Sequence, residues 1–222
     1  MTTISTSLHG TDGADSQPEA AHFAARRKPT YTTHQALRDL GVLSGRMPAI
    51  WSVWGRHSVA PAFREELMVS VAEFNGCRFC AFAHTEWALA CVEQEDFDDG
   101  RWITYAWAHE LVESGFSSAS EDLEREMAAR YTAHERRNLD TIVRVMTFMN
   151  LSGNTFDALL GRFRGRPVAG SRRIDELAVG GSFAAAILPV SLFLAVKRRK
   201  SPVRLARELS RFSARFDRSV AS

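Results

Sequence analysis

Cysteine is scarce in this chain, with three residues among 222, and this scarcity argues against a secreted domain built on a disulfide framework. The alternation of apolar and polar residues that is typical of β-strands does not persist anywhere, and no internal repeat is visible. The N-terminus lacks the apolar run that an export signal needs. These absences favour a cytoplasmic, all-α protein with reduced cysteines.

The length allows one globular domain with appendages, since a chain of this size buries roughly 70% of the surface that it exposes when unfolded. Residues 1–28 are polar and then basic, and we expect them to be disordered. Residues 29–168 show helical periodicity and are predicted to form a helical domain. Residues 169–222 are predicted to form an apolar helix and a basic amphipathic tail.

Residues 63–90 are the most informative stretch, because they combine a Cys-x-x-Cys pair with a histidine and several carboxylates. Pro61 is suited to the first turn of a helix. The apolar stripe of that helix consists of Leu67, Val71 and Phe74. Asn75 and Gly76 tolerate left-handed backbone conformations and interrupt it. The pattern predicts a helical hairpin whose second helix begins at Cys77.

This placement predicts reactive thiols. Cys77 and Cys80 would lie in the first turn of the second helix, where unpaired N–H groups and the helix dipole favour a thiolate. The helix dipole stabilises the thiolate by about 1 kcal/mol. Lowering the thiol pKa until the group is mostly ionised at pH 7 takes about 2.7 kcal/mol. We expect His84, four residues after Cys80, to contribute the rest. The two cysteines would form a disulfide if their side chains converge.

A carboxylate on the first helix is expected to complete the site. In an antiparallel hairpin, Glu65 returns alongside the body of the second helix and lies near His84 rather than near the turn. There it would orient the imidazole and act as a base. Periodicity alone does not separate Glu65 from Glu66 and Glu73, which are alternatives.

Together these residues resemble the signature of the alkylhydroperoxidase D and carboxymuconolactone decarboxylase superfamily. The matching residues are Glu65, Asn75, Gly76, Cys77, Cys80 and His84. A weaker likeness covers residues 35–165. The resemblance implies an all-α, alkylhydroperoxidase D-like bundle that reduces hydroperoxides. Cys80 would be the peroxidatic cysteine and Cys77 the resolving one, while Glu65 and His84 would relay protons.

The same resemblance implies further properties of the protein. It implies no metal, haem or flavin, a lipoyl or thioredoxin-like dithiol as reductant, and assembly into a homotrimer or homohexamer. One position departs from the family pattern, because Phe79 stands where the alkylhydroperoxidase has a second histidine. Proton delivery would therefore be slower or follow a different route in this chain.

Three other functions are alternatives. A zinc site would use Cys77, Cys80, His84 and Cys91. Its geometry is poor, because Cys91 would lie about 21 Å from Cys77 on one continuous helix. A carboxymuconolactone decarboxylase-like lyase is disfavoured, because that branch is not expected to use a vicinal cysteine pair. The last alternative is a noncatalytic, membrane-associated protein in which the pair has no function.

The C-terminal part differs in charge from the rest of the chain. Residues 162–222 hold fourteen Lys or Arg and four Asp or Glu, which leaves the first 161 residues at a net charge of −8. Residues 177–196 are a run of twenty uncharged residues, followed at once by four basic ones. Twenty apolar residues span ~30 Å as a helix, and a basic flank is typical of a membrane span. The pattern fits membrane association through residues 177–200, or burial in an oligomer interface.

The last residues predict an amphipathic helix with arginines around its apolar side. That side consists of Leu205, Leu209, Phe212 and Phe216. Such a helix is suited to an anionic membrane surface. Nucleic acid is not favoured as a partner, because no recognisable binding module accompanies the basic residues.

Three smaller predictions concern the domain itself. Thr33 is expected to cap a helix that Gly41 ends. Trp51 and Trp54 are expected to pack in the core rather than to form a substrate cage. His109 is expected to be a structural side chain, because no spacing connects it to the cysteine pair.

Overall fold

The computed structural model describes residues 28–89 and 100–219. Every regular element in those ranges is a helix, which confirms the all-α prediction. The helices are α1 (Thr33–Ser44), α2 (Met47–Ile50), α3 (Pro61–Phe74), α4 (Arg78–Ala88), α5 (Gly100–Glu113), α6 (Glu121–Arg130), α7 (Ala133–Phe163), α8 (Arg173–Asp175), α9 (Gly181–Lys197) and α10 (Pro202–Ser219). Two π-helical turns, Trp51–Gly55 and Glu176–Gly180, follow α2 and α8. The predicted disordered segment, apart from its last residue, and Cys91 lie outside the described residues.

The hairpin of α3 and α4 agrees with the prediction. Pro61 begins α3, and Asn75 ends it. Gly76 has a φ of 67°, in the left-handed region that glycine adopts without strain. Cys77 is the N-cap of α4, and its Sγ accepts a hydrogen bond from the backbone N–H of Cys80 at 3.4 Å. Cys77 thus lies just before the helix, while Cys80 lies in its first turn as predicted.

The long helix α7 lies at the centre of the fold. A capping box begins it, in which the Thr132 hydroxyl accepts from the Glu135 N–H and the Glu135 carboxylate accepts from the Thr132 N–H. The helix has 31 residues and packs against α1, α3, α4, α5 and α9. Its fully buried apolar side chains are Ile142, Val143 and Met146. Both the hairpin and the C-terminal helices are therefore positioned by α7.

The two C-terminal helices join this core. Phe183 of α9 and Phe216 of α10 are buried in the main hydrophobic cluster. Leu205 of α10 is buried with Phe82 of α4, and the ring of Phe212 lies 5.6 Å from that of Phe82. The predicted amphipathic helix is present, and its apolar side faces the protein.

Residues Arg173 to Lys197 form one continuous helical stretch of 25 residues whose mean hydropathy reaches 2.1. It is long and apolar enough to cross a membrane, and only 28% of its most apolar part is buried within the protein. The large apolar side chains that it exposes are Ile174, Leu177, Leu188, Val190, Leu192, Phe193 and Val196. The prediction of a membrane-compatible helix in this part of the chain is confirmed.

The first helix begins and ends differently from the prediction. Thr32, rather than Thr33, is the N-cap, in a capping box with Gln35. The Thr33 N–H and hydroxyl instead donate to Asp175 Oδ1 at 2.8 and 2.7 Å. Gly41 lies inside the helix, which continues past it. A glycine in a helix costs only about 1 kcal/mol, so that tertiary packing of α1 overrides it.

The prediction of a tryptophan pair in the core is wrong for Trp51, which is 64% exposed. Its ring covers Gly55, where a Cβ atom would lie 2.9 Å away. Trp54 is half-buried, with the Arg64 guanidinium 5.7 Å from its ring centre. The π-helical turn changes the number of residues per turn, so a spacing of three no longer places both rings on one face.

Candidate active site

Two asparagines of α7 hold the backbone that precedes the cysteines. Asn154 Nδ2 donates to the carbonyl oxygen of Asn75 at 2.9 Å and to that of Pro29 at 3.1 Å. Asn150 Nδ2 donates to the carbonyl oxygen of Val71 at 3.1 Å. The Asn75 carbonyl lies at the C-cap of α3, where helices lack internal partners, and Asn154 supplies one. The Val71 carbonyl accepts from Asn150 in addition to the Asn75 N–H, which lies 3.0 Å away. The two amides thereby position the turn from which α4 begins.

Both thiols of the site are buried. Cys77 is completely inaccessible, Cys80 is 4% exposed, and the two are free cysteines. Cys80 Sγ donates to the carbonyl oxygen of Met149 at 3.7 Å. Gly153 faces the pair, and a Cβ atom there would lie 2.7 Å from Cys77 Sγ and 3.4 Å from Cys80 Sγ. Glycine at this position therefore lets α7 approach the thiols closely, a requirement that no sequence motif signals.

Burial raises the pKa of the Cys80 thiol well above its ordinary value, and Cys77 raises it further through a hydrogen bond and its charge. A backbone hydrogen bond lowers the same pKa, but by less. The raised pKa contradicts the prediction of a thiolate at Cys80, because desolvation outweighs the helix dipole. The sulfur is held as a thiol, so a nucleophilic reaction requires a base to accept its proton.

His84 and Glu65 meet across the hairpin, as expected from the antiparallel arrangement. His84 Nδ1 lies 2.7 Å from Glu65 Oε2, although 19 residues separate the two in the chain. The alternative carboxylates lie elsewhere: Glu66 accepts from Arg101 Nη1 at 2.8 Å, and Glu73 is exposed. Glu65 is thus the carboxylate that the geometry places beside the imidazole.

Arg64 is a member of this cluster that sequence reasoning missed. Its Nε and Nη2 donate to Glu65 Oε1 at 3.1 and 2.8 Å, and only 11% of its side chain is exposed. Burial by itself would raise the pKa of Glu65, but hydrogen bonds and charges from His84 and Arg64 outweigh it and hold that pKa below its ordinary value. Glu65 is therefore ionised at neutral pH, and it binds Arg64 with one oxygen and His84 with the other.

Phe79, which lies between the two cysteines, is a packing residue. Its ring lies 5.6 Å from that of Phe156, which in turn lies 6.1 Å from that of Phe183. The Arg78 guanidinium lies 5.2 Å from the Phe79 ring centre and forms an ion pair with Asp157. An apolar side chain at this position completes a row of aromatic rings beside the thiols.

The C-terminal helices cover the site from one side. Phe183 reaches Gly153 so closely that a Cβ atom there would lie 3.2 Å from its Cζ. Beyond α9, Arg198 Nε and Lys200 Nζ donate to Glu86 Oε2 at 3.1 and 2.8 Å. Lys197 Nζ lies 4.8 Å from the Trp87 ring centre, so three of the four basic residues that follow the apolar run contact α4. Nothing in the local sequence indicated this ion-pair cluster, since it connects segments that are distant in the chain.

Two further predictions concern a metal site and His109. Among the residues that the structure describes, no group of three or more His, Cys, Asp or Glu side chains is placed to hold a metal ion. His109 is a structural side chain, as expected: its Nε2 lies 2.9 Å from Ser70 Oγ, and its ring stacks on Phe74 at 4.4 Å.

Comparisons with known proteins identify no relative of this chain. No family model matches it, and neither a curated protein nor a solved structure does. The geometry of the site and the residues that carry the resemblance are therefore the basis for a functional proposal.

Proposed function

We propose that this chain is a thiol-dependent peroxidase of the alkylhydroperoxidase D type, an oxidoreductase that reduces hydroperoxides through Cys77 and Cys80. The observation that carries the proposal is the contact between His84 and Glu65, which joins two helices next to a buried cysteine pair. The resemblance predicts this pairing from the sequence alone. We propose the corresponding helical fold for residues 29–168.

The proposed cycle begins when the Cys80 thiol gives up its proton and the thiolate attacks the terminal oxygen of the hydroperoxide. The O–O bond breaks, the departing alkoxide takes up a proton and leaves as an alcohol, and the sulfur becomes a sulfenic acid. The Cys77 thiol then condenses with the sulfenic acid, which forms a disulfide and releases water. An external dithiol reduces the disulfide by exchange and becomes a disulfide itself.

Proton transfer is the step in which we expect the polar cluster to act. Because burial keeps Cys80 protonated, the thiolate forms only when a base accepts its proton. His84 is our candidate, with Glu65 orienting one ring nitrogen and stabilising the imidazolium. Arg64 acts as a positioning residue, since it keeps Glu65 ionised and in place.

The remaining partners follow from the same proposal. The reductant is a dithiol, either a lipoyl group or a thioredoxin-like protein, because a vicinal disulfide is reduced most directly by two thiols. We also propose that the chain assembles into a homotrimer or homohexamer. Reduction of the disulfide and assembly of the chain are distinct from the reaction of Cys80 with a peroxide, so each is measured separately.

The test is a thiol titration of the reduced protein before and after one equivalent of tert-butyl hydroperoxide. We expect the wild type to lose two thiols rapidly and Cys77→Ser to yield a sulfenic acid that is trapped at Cys80. His84→Gln should slow this loss strongly, whereas the matched variant His109→Gln should not. Loss no faster than that of a free small thiol would refute the peroxidase.

We further propose that the protein associates with anionic membranes through α9. Five of its large apolar side chains are exposed, and the outward side of α10 beside it is basic, with Arg204, Arg207, Arg211 and Arg215 all exposed. Apolar surface combined with positive charge is the pattern of interfacial binding. The wild type should sediment with vesicles of phosphatidylglycerol and phosphatidylcholine, and a Leu188→Ser, Leu192→Ser variant should remain in solution. Equal recovery of both proteins in the supernatant would contradict the proposal.

A further inference from the structure

An apolar groove of about 390 Å³ lies between α1, α7 and α9. Its floor contains Ala36, Val179 and Phe183, all buried, while Leu37 and Leu40 are exposed at its rim. No ionisable side chain is among the described residues that line it. A groove of this size and character is typical of a binding site for an apolar small molecule.

Two residues of this groove also bound the thiol site. Met149 lines the groove, and its carbonyl oxygen accepts the hydrogen bond from the Cys80 thiol. Phe183 lines the groove, and its ring lies against Gly153, whose position also faces both cysteine sulfurs. The groove and the thiols are therefore separated by little more than these two residues.

A route to the thiols has to pass protein side chains, because Cys77 is inaccessible and Cys80 is only 4% exposed. Methionine has three rotatable side-chain bonds and moves readily between rotamers, so that Met149 is suited to yield to a ligand. A molecule held in the groove would lie next to this side chain. The groove is thus placed to hold the apolar part of a molecule whose reactive group reaches Cys80.

The walls of the groove favour the apolar part of a small molecule over a charged group. They consist mostly of apolar side chains, and the polar residues among the described ones that line it are Thr33, Ser152 and Ser182. A hydrocarbon chain gains free energy when such walls remove it from water. A hydroperoxide that carries a hydrocarbon chain therefore suits a groove that lies beside a thiol.

We propose that this groove is a binding site for the hydrocarbon chain of a hydroperoxide substrate. The site directs the protein towards long-chain hydroperoxides rather than small or compact ones, and this consequence rests on the peroxidase function proposed above. The chain-binding site itself does not depend on thiol chemistry.

Binding is tested with cis-parinaric acid, a fatty acid whose fluorescence rises when its chain leaves water. Ala186 lines the groove, whereas the adjacent Ala185 does not, and both side chains are exposed. Phenylalanine at either position is therefore tolerated, but only Ala186→Phe fills the groove. We expect saturable binding by the wild type and Ala185→Phe, and binding at least tenfold weaker by Ala186→Phe. Ala36→Phe, which fills the floor, should have the same effect as Ala186→Phe.

The thiol reaction supplies the second readout. With linoleic acid hydroperoxide the wild type should lose thiols faster than with tert-butyl hydroperoxide, and Ala186→Phe should lose this preference but keep the rate with the small peroxide. Binding of parinaric acid without thiol loss to any hydroperoxide supports the site and refutes the peroxidase. Absence of saturable binding, or equal binding by the Ala185→Phe and Ala186→Phe variants, overturns the site even if thiols react.

Discussion

The hairpin site and helix α9 depart from the usual distribution of side chains in opposite ways. In the hairpin, charged groups are buried: Arg64 and Glu65 are 9% and 5% exposed. In α9, large apolar groups are exposed, with Leu188 at 64% and Val196 at 76%. A buried charged group and an exposed apolar patch are both unusual in a folded protein, so each needs a physical explanation.

The two regions differ in whether their buried charges or exposed apolar side chains have partners within the chain. Glu65 binds the Arg64 guanidinium and the His84 imidazole, so its burial is compensated internally. The outward side chains of α9 have no such compensation in the described protein, and their contact with water is unfavourable. The hairpin charges are thus satisfied within the protein, whereas the exposed apolar side of α9 is the surface that the proposed membrane association would cover.

The largest expected effect is at the buried charge cluster. Glu65→Gln leaves the Arg64 cation buried without its counter-charge, and the loss of one member of a buried pair costs about 3–5 kcal/mol of unfolding free energy. Denaturant unfolding at pH 7 measures it. The control is Glu126→Gln, which removes an exposed pair with Arg130 and should cost no more than about 0.5 kcal/mol. Equal effects of the two variants would show that burial of the pair does not matter.

The same variant makes a prediction about pH. The pKa of Glu65 is lowered in the folded protein, so its contribution to stability is complete above the unfolded pKa of about 4.3 and is lost as the pH falls through the folded pKa. The difference in unfolding free energy between the wild type and Glu65→Gln should therefore shrink below about pH 4. A difference that stays constant into strong acid would contradict this assignment.

The next largest effect is expected at the contact between α7 and the thiols. Gly153→Ala places a methyl group 2.7 Å from Cys77 Sγ, and such overpacking costs about 1–3 kcal/mol. Gly41→Ala is the matched control, because nothing lies within 4 Å of the added Cβ in α1, and it should stabilise the protein by about 0.5–1 kcal/mol.

A double-mutant cycle tests the stated cause. Cys77→Ala removes the sulfur that the new methyl group meets, so the cost of Gly153→Ala should be smaller in that background. If the cost of Gly153→Ala is unchanged, the added methyl group collides with another side chain, and Phe183 is the other close neighbour.

A smaller effect concerns thiol reactivity. Because burial raises the pKa of Cys80, iodoacetamide should modify it more slowly than a free cysteine at pH 7, and the midpoint of its pH–rate profile should lie above about pH 8.5. Mass spectrometry of digested protein assigns the modified residue, and urea-unfolded protein serves as the control. A midpoint below pH 8.5 would show that the helix dipole prevails over burial.

The smallest effect on stability is expected on the outward side of α9. Leu188→Ser should change the unfolding free energy by no more than about 0.5 kcal/mol, since the side chain is largely exposed. Phe183→Ala on the same helix should cost about 3–5 kcal/mol, because that ring is buried. A large loss for Leu188→Ser in the isolated chain would mean that α9 already has its partner within the protein.

Much of the hairpin was predictable because its signals are local. Pro61, Asn75 and Gly76 begin and interrupt helices through the backbone conformations that they favour. The antiparallel return of the chain then brings Glu65 to His84. The same local reasoning was wrong about Gly41 and Trp51, where packing and a π-helical turn override spacing.

The sequence by itself therefore determined the helices, the break between α3 and α4 and the membrane-compatible character of α9, because periodicity and helix breakers act over a few residues. Only the tertiary structure decided the state of the thiols, the place of Arg64 and the groove beside Cys80. The contacts responsible join distant segments: Asn154 holds Asn75 across 79 residues, and Arg198 reaches Glu86 across 112. Burial and electrostatics depend on such neighbours, which no local pattern contains.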